Sequence, residues 1–401
     1  MAGTALTTAI RRRLSTFAAG VARPFTDSRR HRFVTDMITG LIVGGHVHLT
    51  AVARATQRGP AHIHGAEKRL SRNLASEHWN TAVLPAELLR RSAALVTDDT
   101  LIVADTTDLA KHYARHLEGL GRVHDGSDPD GKTAPGYCIF QAFVRVGTWQ
   151  LFPLVVEPLK VYAGAATGEN AELLAHMLRV HEATGKKGTW VLDRGFDRRE
   201  LYESLVRNGV AFVVRQRGDR TVRTADGRDL LVAELVAEQT CPRPRRWPKG
   251  GVSMALEVWL PEIGSEPFLL VIGWRVPNSE RPLVLLVSPE GRRGGRTGKW
   301  FVRAYHRRWG VEDATRGIKQ QFALESFLVR SWVALRRLLW LVAWSFWWLN
   351  LWGAEPFERL RTAVLAHPWR IRKDVTYLFD WIATFLRELL HPHPKFTFDT
   401  G

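Results

Sequence analysis

Hydrophobic positions in the first part of the chain recur with the spacing of α-helices. The segments FVTDMITGLIVGG (33–45) and AELLRRSAALV (86–96) place apolar residues three or four positions apart. The segment AEKRLSRNL (66–74) between them is also compatible with a helix. The pattern therefore predicts a helical region that ends near residue 95.

From residue 100 the apolar residues form short runs typical of strands. TLIVAD (100–105) is the first, and CIFQAFVRV and QLFPLVVEP predict two further strands around a turn at Gly147-Thr148. Later strands are predicted for TWVLD (189–193) and AFVVR (211–215), with helices over 168–185 and 197–208. Three strands followed by strand–helix alternation predict an α/β protein with a mixed sheet covered by helices.

Residues 216–290 interrupt that alternation. Four β-like stretches are separated by proline, glycine and charged turns: LLVAELV, MALEVWL, FLLVIGW and PLVLLV. We interpret this part as an inserted β-subdomain, after which the loop GRRGGRTGK (291–299) leads into a helix.

The most apolar run of the chain is LLWLVAWSFWWLNLW (338–352). It has 15 residues and contains Ser345 and Asn350, whereas a helix that crosses a bilayer needs about 20. We predict a buried core helix, although the same run supports the alternative of a protein that lies on a membrane surface. Pro356 and Pro368 then punctuate a short helical tail.

The charge balance indicates an anionic partner. The 401-residue chain is 45% hydrophobic, as expected for a globular protein, and has a formal net charge of +17. Residues 1–78 contain twelve Lys or Arg and four Asp or Glu. In AEKRLSRNL, Lys68, Arg69 and Arg72 lie on about one helical face, which suits either DNA phosphates or simple solvation.

Two further features bear on the compartment. The cysteines Cys138 and Cys241 cannot form a disulfide framework, which is typical of a reducing environment. The first residues lack the apolar core of a signal peptide. We expect a cytoplasmic, nucleoid-associated protein with no membrane partner.

Four polar residues recur at helical spacing after the loop. Tyr305, Arg308, Glu312 and Lys319 are separated by three, four and seven positions, so a regular helix would place them within an arc of about 60°. Burying a carboxylate between two cations is costly. This row is better explained by a partner that brings both a metal ion and phosphates.

Two aspartates follow apolar strands and suggest a metal site. Asp105 closes TLIVAD and Asp193 closes TWVLD, and acids at the carboxyl ends of neighbouring strands project into one crevice. Glu312 would be the third carboxylate. Three clustered acids raise each other's pKa unless a divalent cation is present, and oxygen ligands suit Mg²⁺. Two Mg²⁺ about 4 Å apart would support phosphodiester displacement.

Other acids have simpler explanations. Asp108 is expected at a turn or helix start, and Asp197 and Glu200 in the first turn of a helix. Asp313 and Glu325 are expected on the surface.

These motifs together resemble a known family. The run YHRRWGVEDATRGIK is similar to the Tyr-x2-Arg-x3-Glu-x6-Lys signature of the bacterial DDE transposases of insertion-sequence family four. LIVADTTD and WVLDRGFD resemble the first and second Asp motifs of that family, and the resemblance covers about 100–350. It implies an RNase H-like catalytic core, interrupted by a β-rich insertion between the second Asp and the Glu.

The resemblance also implies roles for individual residues. Asp105, Asp193 and Glu312 would be the catalytic metal ligands, with two Mg²⁺ ions for which Mn²⁺ can substitute. Tyr305 and Arg308, with Lys319, would contact phosphates near the transposon end. The family often has a base-flipping tryptophan in the last strand of the insertion, but RPLVLLVSPE (281–290) has none.

The implied reaction is cut-and-paste transposition. It consists of nicking at the element's end, hairpin formation, hairpin opening and strand transfer. Its partners would be the inverted repeats at the element ends and the target DNA, bound by a homodimer on paired ends. The alternative is a catalytically silent, DNA-binding descendant of a transposase.

The expected organisation has five parts. They are a helical basic DNA-binding domain (1–95), the first part of the core (96–215), the β-subdomain (216–290), the second part of the core with the Glu312 helix (291–352) and a helical C-terminal tail (353–401).

Overall fold

The computed structural model describes residues 2–56, 60–124, 132–147, 150–164, 168–242, 251–275, 281–353 and 378–390. The strands are β1 (Leu101–Ala110), β2 (Gly121–His124), β3 (Thr133–Val146), β4 (Gln150–Pro158), β5 (Thr189–Leu192), β6 (Phe212–Arg215), β7 (Thr221–Thr224), β8 (Asp229–Leu231), β9 (Val252–Trp259), β10 (Phe268–Trp274) and β11 (Leu283–Val287).

The α-helices of the described residues begin with α1 (Ala2–Ala22), α2 (Ser28–Gly44), α3 (Leu49–Thr56), α4 (Ile63–Ala75) and α5 (Val83–Ala93). They continue with α6 (Glu169–Ala183), α7 (Arg199–Arg207), α8 (Val232–Glu238), α9 (Gly298–Arg307), α10 (Trp309–Gln321), α11 (Trp332–Asn350) and α12 (Leu378–Leu390).

The strands form one mixed sheet in the order β2-β3-β1-β5-β6-β11-β10-β9-β7-β8, with β4 also paired to β3. Strands β1, β3 and β4 are antiparallel neighbours, while β5 and β6 run parallel to β1. Parallel neighbours need long crossovers, and α6 and α7 lie in those connections. The mixed α/β architecture predicted from the sequence is confirmed.

The insertion extends the same sheet. Strand β11 pairs with β6, and β10 and β9 continue outward from it in antiparallel order. Three of the four predicted β stretches are strands, but LLVAELV is not. Its strand β8 ends at Leu231, because the Glu234 carboxylate accepts the Leu231 N–H at 2.9 Å and starts α8.

Side chains alternate between two hydrophobic clusters on opposite faces of the sheet. Ile102 of β1 and Trp190 of β5 belong to the cluster that includes residues of α6 and α7. Val103 and Val191 belong to the other cluster, with residues of α9, α10 and α11. The period of two in a strand therefore decides which residues face α10.

The tryptophan-rich run is the buried helix α11, as predicted. Its two polar residues are satisfied internally: the Ser345 hydroxyl donates to the Leu341 carbonyl at 2.9 Å, and the Asn350 side-chain oxygen accepts the Leu151 N–H at 3.0 Å. Within the described ranges, no single helix is long and apolar enough to cross a membrane. Only α2 and α3 together, bent by 95°, meet that test of length and composition.

The N-terminal helices pack on α11. Phe33 of α2 and Leu70 of α4 share the hydrophobic cluster that contains Trp344. The Trp344 indole donates to the Leu84 carbonyl at 3.1 Å, and the buried Arg337 donates to the Leu74 carbonyl at 2.7 Å. The basic N-terminal region and the core are therefore built against each other. Of the predicted C-terminal tail, the structure describes only α12. Pro356 and Pro368 lie outside the described residues.

Candidate active site

The register of the sheet sets Asp105 beside Asp193. Strands β1 and β5 pair in parallel at Ile102↔Trp190 and Val103↔Val191, and two more residues along this register bring the two aspartates level. Asp105 and Asp193 each follow by two residues a valine, Val103 or Val191, whose side chain faces α10. Because side chains in a strand alternate with a period of two, both aspartates face α10 as well. Asp105 does not end its strand, as the sequence suggested, because β1 pairs with β3 as far as Ala110.

A tight turn fixes Asp193. Its carboxylate accepts the Gly195 N–H at 2.7 Å and caps the short 3-10 helix Arg194–Phe196. A Cβ on Gly195 would lie 2.9 Å from Asp193 Oδ1, closer than packed atoms tolerate. The glycine of WVLDRGFD therefore lets the carboxylate keep this orientation.

We expect Gly195→Ala to slow any reaction that depends on Asp193. The added methyl forces the carboxylate to turn, and a misplacement of about 1 Å can reduce catalysis roughly 100-fold. Gly20→Ala is a suitable control because a Cβ there meets nothing within 4 Å. Equal rates of DNA cleavage for both variants would contradict this role of the turn.

Glu312 approaches Asp105 from α10, and Arg308 lies between these two carboxylates. Arg308 Nη1 is 3.3 Å from Asp105 Oδ2, and Nη2 is 2.7 Å from Glu312 Oε1. The Arg308 side chain is only 6% exposed. Residues that are distant in the sequence therefore meet around one buried guanidinium.

The pKa of Asp105 reflects this crowding. Burial raises it to about 6, and the negative charge of Asp193 adds to the rise, whereas Arg308 opposes it. Glu312 contributes a further small increase. Burial alone would lower the pKa of Arg308, but Tyr305, Asp105 and Glu312 outweigh it and raise that pKa. Asp193 and Glu312 thus both lie within electrostatic range of Asp105.

The donor set suits a hard divalent cation, since all its ligands are carboxylate oxygens. In the described part of the chain, no three His, Cys, Asp or Glu side chains are arranged closely enough to hold an ion as they stand. Between Asp105 and Glu312 lies the guanidinium of Arg308, which pairs with both. The positive charge that the acids need is supplied here by the protein itself.

The predicted single helical face is wrong in one respect. Helix α9 ends at Arg307 and α10 begins at Trp309. Around Arg308 the backbone N–H groups bond three residues back, Arg308 to Tyr305 at 2.9 Å and Val311 to Arg308 at 2.7 Å. This tighter turn shifts the phase of the two helices. Tyr305 is consequently buried, with its ring centre 5.5 Å from the Arg308 guanidinium.

Lys319 lines a cavity beside the acids. Its ammonium donates to the Asp108 carbonyl at 2.6 Å and pairs with Glu325 at 3.0 Å. The cavity has a volume of about 380 Å³ and is lined by Asp105, Thr106, Thr107, Glu312, Thr315, Arg316, Lys319, Gln320 and Glu325. The acids and a cation therefore share one opening.

Of the expectations for two nearby acids, one is corrected and one is confirmed. Asp108 lies within β1 and not at a turn. Glu325 is at the surface, as expected, with 54% of its side chain exposed. It also lines the cavity because the chain reverses after α10 at Ala323, whose φ of +47° is unusual for a residue other than glycine. Local sequence patterns carry no signal for this reversal.

Asp197 is also not a helix-start acid, since α7 begins at Arg199; Glu200 does lie in its first turn. The Asp197 side chain is 2% exposed and pairs with Arg220 at 2.6 Å. It also accepts the Tyr202 hydroxyl at 3.1 Å. The second Asp motif is thereby fixed to the start of the insertion.

The predicted basic residues of α4 differ in their surroundings. Lys68 and Arg72 are exposed. Arg69 is half-buried and pairs with Asp36 of α2 at 2.5 Å. Lys68 and Arg72 thus remain at the surface, whereas Arg69 connects two helices of the N-terminal region.

The sequence matches the family model described as "Transposase DDE domain" over residues 94–348. The chain therefore belongs to the DDE transposases, enzymes that act on DNA and generally use divalent metal ions.

Among curated proteins, no sequence matches this chain. A similar solved structure is the "Cryo-EM structure of piggyBac transposase synaptic complex with hairpin DNA". It is 12% identical, has a TM-score of 0.45, and the match covers 93% of this chain and 76% of that chain.

Proposed function

We propose that this chain is an active transposase of insertion-sequence family four, the Tyr-Arg-Glu-Lys type, which moves its element by a cut-and-paste reaction. One observation carries the proposal. Asp105, Asp193 and Glu312 come from three separate parts of the chain: Arg308 pairs with Asp105 and Glu312, and the charge of Asp193 acts on Asp105 from the next strand. The family's RNase H-like core agrees with the strand order around β1.

We propose that Asp105, Asp193 and Glu312 hold two Mg²⁺ ions, for which Mn²⁺ can substitute. Bound cations would supply Lewis-acid charge and a more acidic water or 3′-hydroxyl. Asp105 and Glu312 line an open cavity of about 380 Å³, through which a DNA strand would reach them. The pKa of Asp105 is raised first by burial and then by the charge of Asp193, and a bound cation would offset both effects.

The cationic residues have distinct roles in this proposal. Lys319 lines the cavity and is placed to pair with a phosphate near the transposon end. Arg308 would exchange one carboxylate for a phosphate when DNA binds. Tyr305 is buried against Arg308, so it acts as a positioning residue for that guanidinium.

The N-terminal helices would bind the element's inverted repeats. Lys68 and Arg72 are exposed on α4, and together with Arg69 they form a positive ridge suited to the DNA backbone. In this proposal two copies of the chain assemble on paired ends and then join them to target DNA. The site of action is the cytoplasm, at the nucleoid.

The proposal is tested with the DNA that flanks the gene. A fragment that ends in its inverted repeats is incubated with the full-length protein and Mg²⁺ or Mn²⁺, and nicks are mapped on a sequencing gel. We expect metal-dependent nicks at the repeat boundary. Sequence-specific binding without any nick would instead favour the catalytically silent descendant, for which the ion pairs of Arg308 at the acids are the supporting observation.

Arg308→Gln gives a second, DNA-free test. Removing the guanidinium frees two carboxylates, so the variant should bind Mn²⁺ several-fold more tightly than the native protein at pH 8. Isothermal titration calorimetry measures this directly. Arg303→Gln is the matched control, since Arg303 is an exposed arginine of α9 and is not among the residues that line the cavity. Weaker Mn²⁺ binding by Arg308→Gln would show that Arg308 does not compete with the cation.

A further inference from the structure

A second cavity adjoins the one beside the acids. It has a volume of about 1010 Å³ and shares Lys319 and Glu325 with the smaller cavity. One wall is the segment 110–117 between β1 and β2, and the other is the segment 326–330 that follows α10. We call this second cavity the outer cleft. It continues directly from the proposed catalytic acids.

The two walls of the outer cleft are joined by hydrogen bonds. The Lys111 ammonium donates to the carbonyls of Glu325 at 2.6 Å and Phe327 at 2.7 Å, and it lies 3.6 Å from the Phe327 ring centre. The Glu118 N–H donates to the Arg330 carbonyl at 3.0 Å. The width of the cleft is therefore set by the protein and does not depend on a ligand.

The rim of the outer cleft combines an exposed aromatic ring with cations. Tyr113 is 99% exposed, and the run KHYARH (111–116) that contains it has no acidic residue. Arg330 on the opposite wall is exposed as well, and Arg115, two residues after Tyr113 in the chain, is a further exposed cation. A ring this exposed adds little to the hydrophobic core, so packing does not explain a tyrosine at this position.

Proteins that bind single-stranded nucleic acid commonly do so with aromatic rings set among cations. The bases stack on the rings, and the cations contact the phosphate backbone. The volume of about 1010 Å³ is close to the upper end, about 1000 Å³, of ordinary ligand pockets. It accommodates a few nucleotides of one strand, but not a duplex.

We propose that the outer cleft binds an unpaired segment of the DNA strand next to the cut, with Tyr113 stacking on one of its bases. This subsite rests on the proposed function, because the unpaired strand is one that passes the acids. Within it Tyr113 is a positioning residue. It holds the strand and takes no part in bond breaking.

The test compares two labelled probes in EDTA, where no cleavage occurs. One is a blunt duplex, and the other is the same duplex with a single-stranded oligothymidine extension at its 3′ or its 5′ end. By fluorescence anisotropy, the full-length protein should prefer an extended probe. Tyr113→Ala should lose about tenfold in affinity for that probe and keep its affinity for the blunt duplex. Tyr113→Phe should behave like the native protein.

A direct signal comes from 2-aminopurine placed in the extension. Stacking should quench its fluorescence with the native protein and with Tyr113→Phe, but not with Tyr113→Ala. Since Tyr113 is exposed, the melting temperature of each variant should stay unchanged. Leu231→Ala, which alters an exposed apolar residue of β8, is the control for general surface effects.

Unchanged binding of the extended probes by Tyr113→Ala would overturn the subsite. Displacement of the extension by polyglutamate as readily as by oligothymidine would also overturn it, because that result indicates a general anion site. Both outcomes are independent of catalysis. If the native protein nicks DNA but Tyr113→Ala binds normally, only the subsite is wrong; if Tyr113 matters but no nick forms, only the proposed activity is wrong.

Discussion

Asp105→Asn should reduce cleavage at an element end by more than about a thousandfold. The amide keeps the size of the side chain but removes one of the three charges that would bind the metal ions. Asp193→Asn and Glu312→Gln should have effects of the same order, since the three groups act together on one cluster. Cleavage is followed with end-labelled DNA and Mg²⁺ under single-turnover conditions.

DNA binding separates a catalytic loss from a folding defect. A mobility-shift assay should show that the three variants retain most of their affinity for the element end. Asp313→Asn is the matched control, because Asp313 follows Glu312 on α10 but pairs with Arg316 at 3.8 Å. Cleavage by Asp105→Asn at the rate of Asp313→Asn would rule out Asp105 as a metal ligand.

Asp197→Ala should lower the free energy of unfolding by about 3 kcal/mol. The substitution leaves Arg220, whose side chain is 11% exposed, without its closest carboxylate at 2.6 Å. Glu262 remains near Arg220 at 3.4 Å, so we expect the lower end of the range of about 3–5 kcal/mol for a broken buried pair. Urea unfolding followed by circular dichroism provides the measurement.

Glu200→Ala is the comparison for Asp197→Ala. Glu200 lies three residues further along the chain, is exposed and accepts only a hydrogen bond from Asn170 at 3.1 Å among those described. Its loss should change stability by no more than about 0.5 kcal/mol. If the two variants unfold at the same urea concentration, the Asp197–Arg220 pair does not stabilise the fold.

The strands and the positions of their acids can be predicted from the sequence, because a short apolar run followed by a polar residue is a local pattern. Once β1 and β5 are parallel neighbours, the register alone brings Asp105 and Asp193 together. The tighter turn at Arg308 cannot be predicted in this way. Regular helical spacing assumes continuous 3.6-residue turns, and the local change of hydrogen bonding moves Tyr305 into the core.

Long-range contacts explain the other differences. The chain reversal at Ala323 brings Glu325 to Lys319, and the pair between Asp197 and Arg220 joins segments that the sequence assigned to different parts. In the same way, the change from helical spacing to short apolar runs near residue 95 predicted a domain boundary. The structure shows only that both sides of it contribute to one hydrophobic cluster; the five-part organisation remains a prediction.

That shared cluster has a consequence for where DNA would be cut. Helices α4 and α10 both contribute residues to it, Leu70 and Ile318 among them. Because they share one core, a rotation of one helix relative to the other would disrupt packing. If α4 binds the repeat as proposed, the distance along the DNA between α4 and the catalytic acids is fixed by the protein. The number of base pairs from the gripped backbone to the broken bond would be constant, and lengthening the repeat by one pair would move the break by one pair as well.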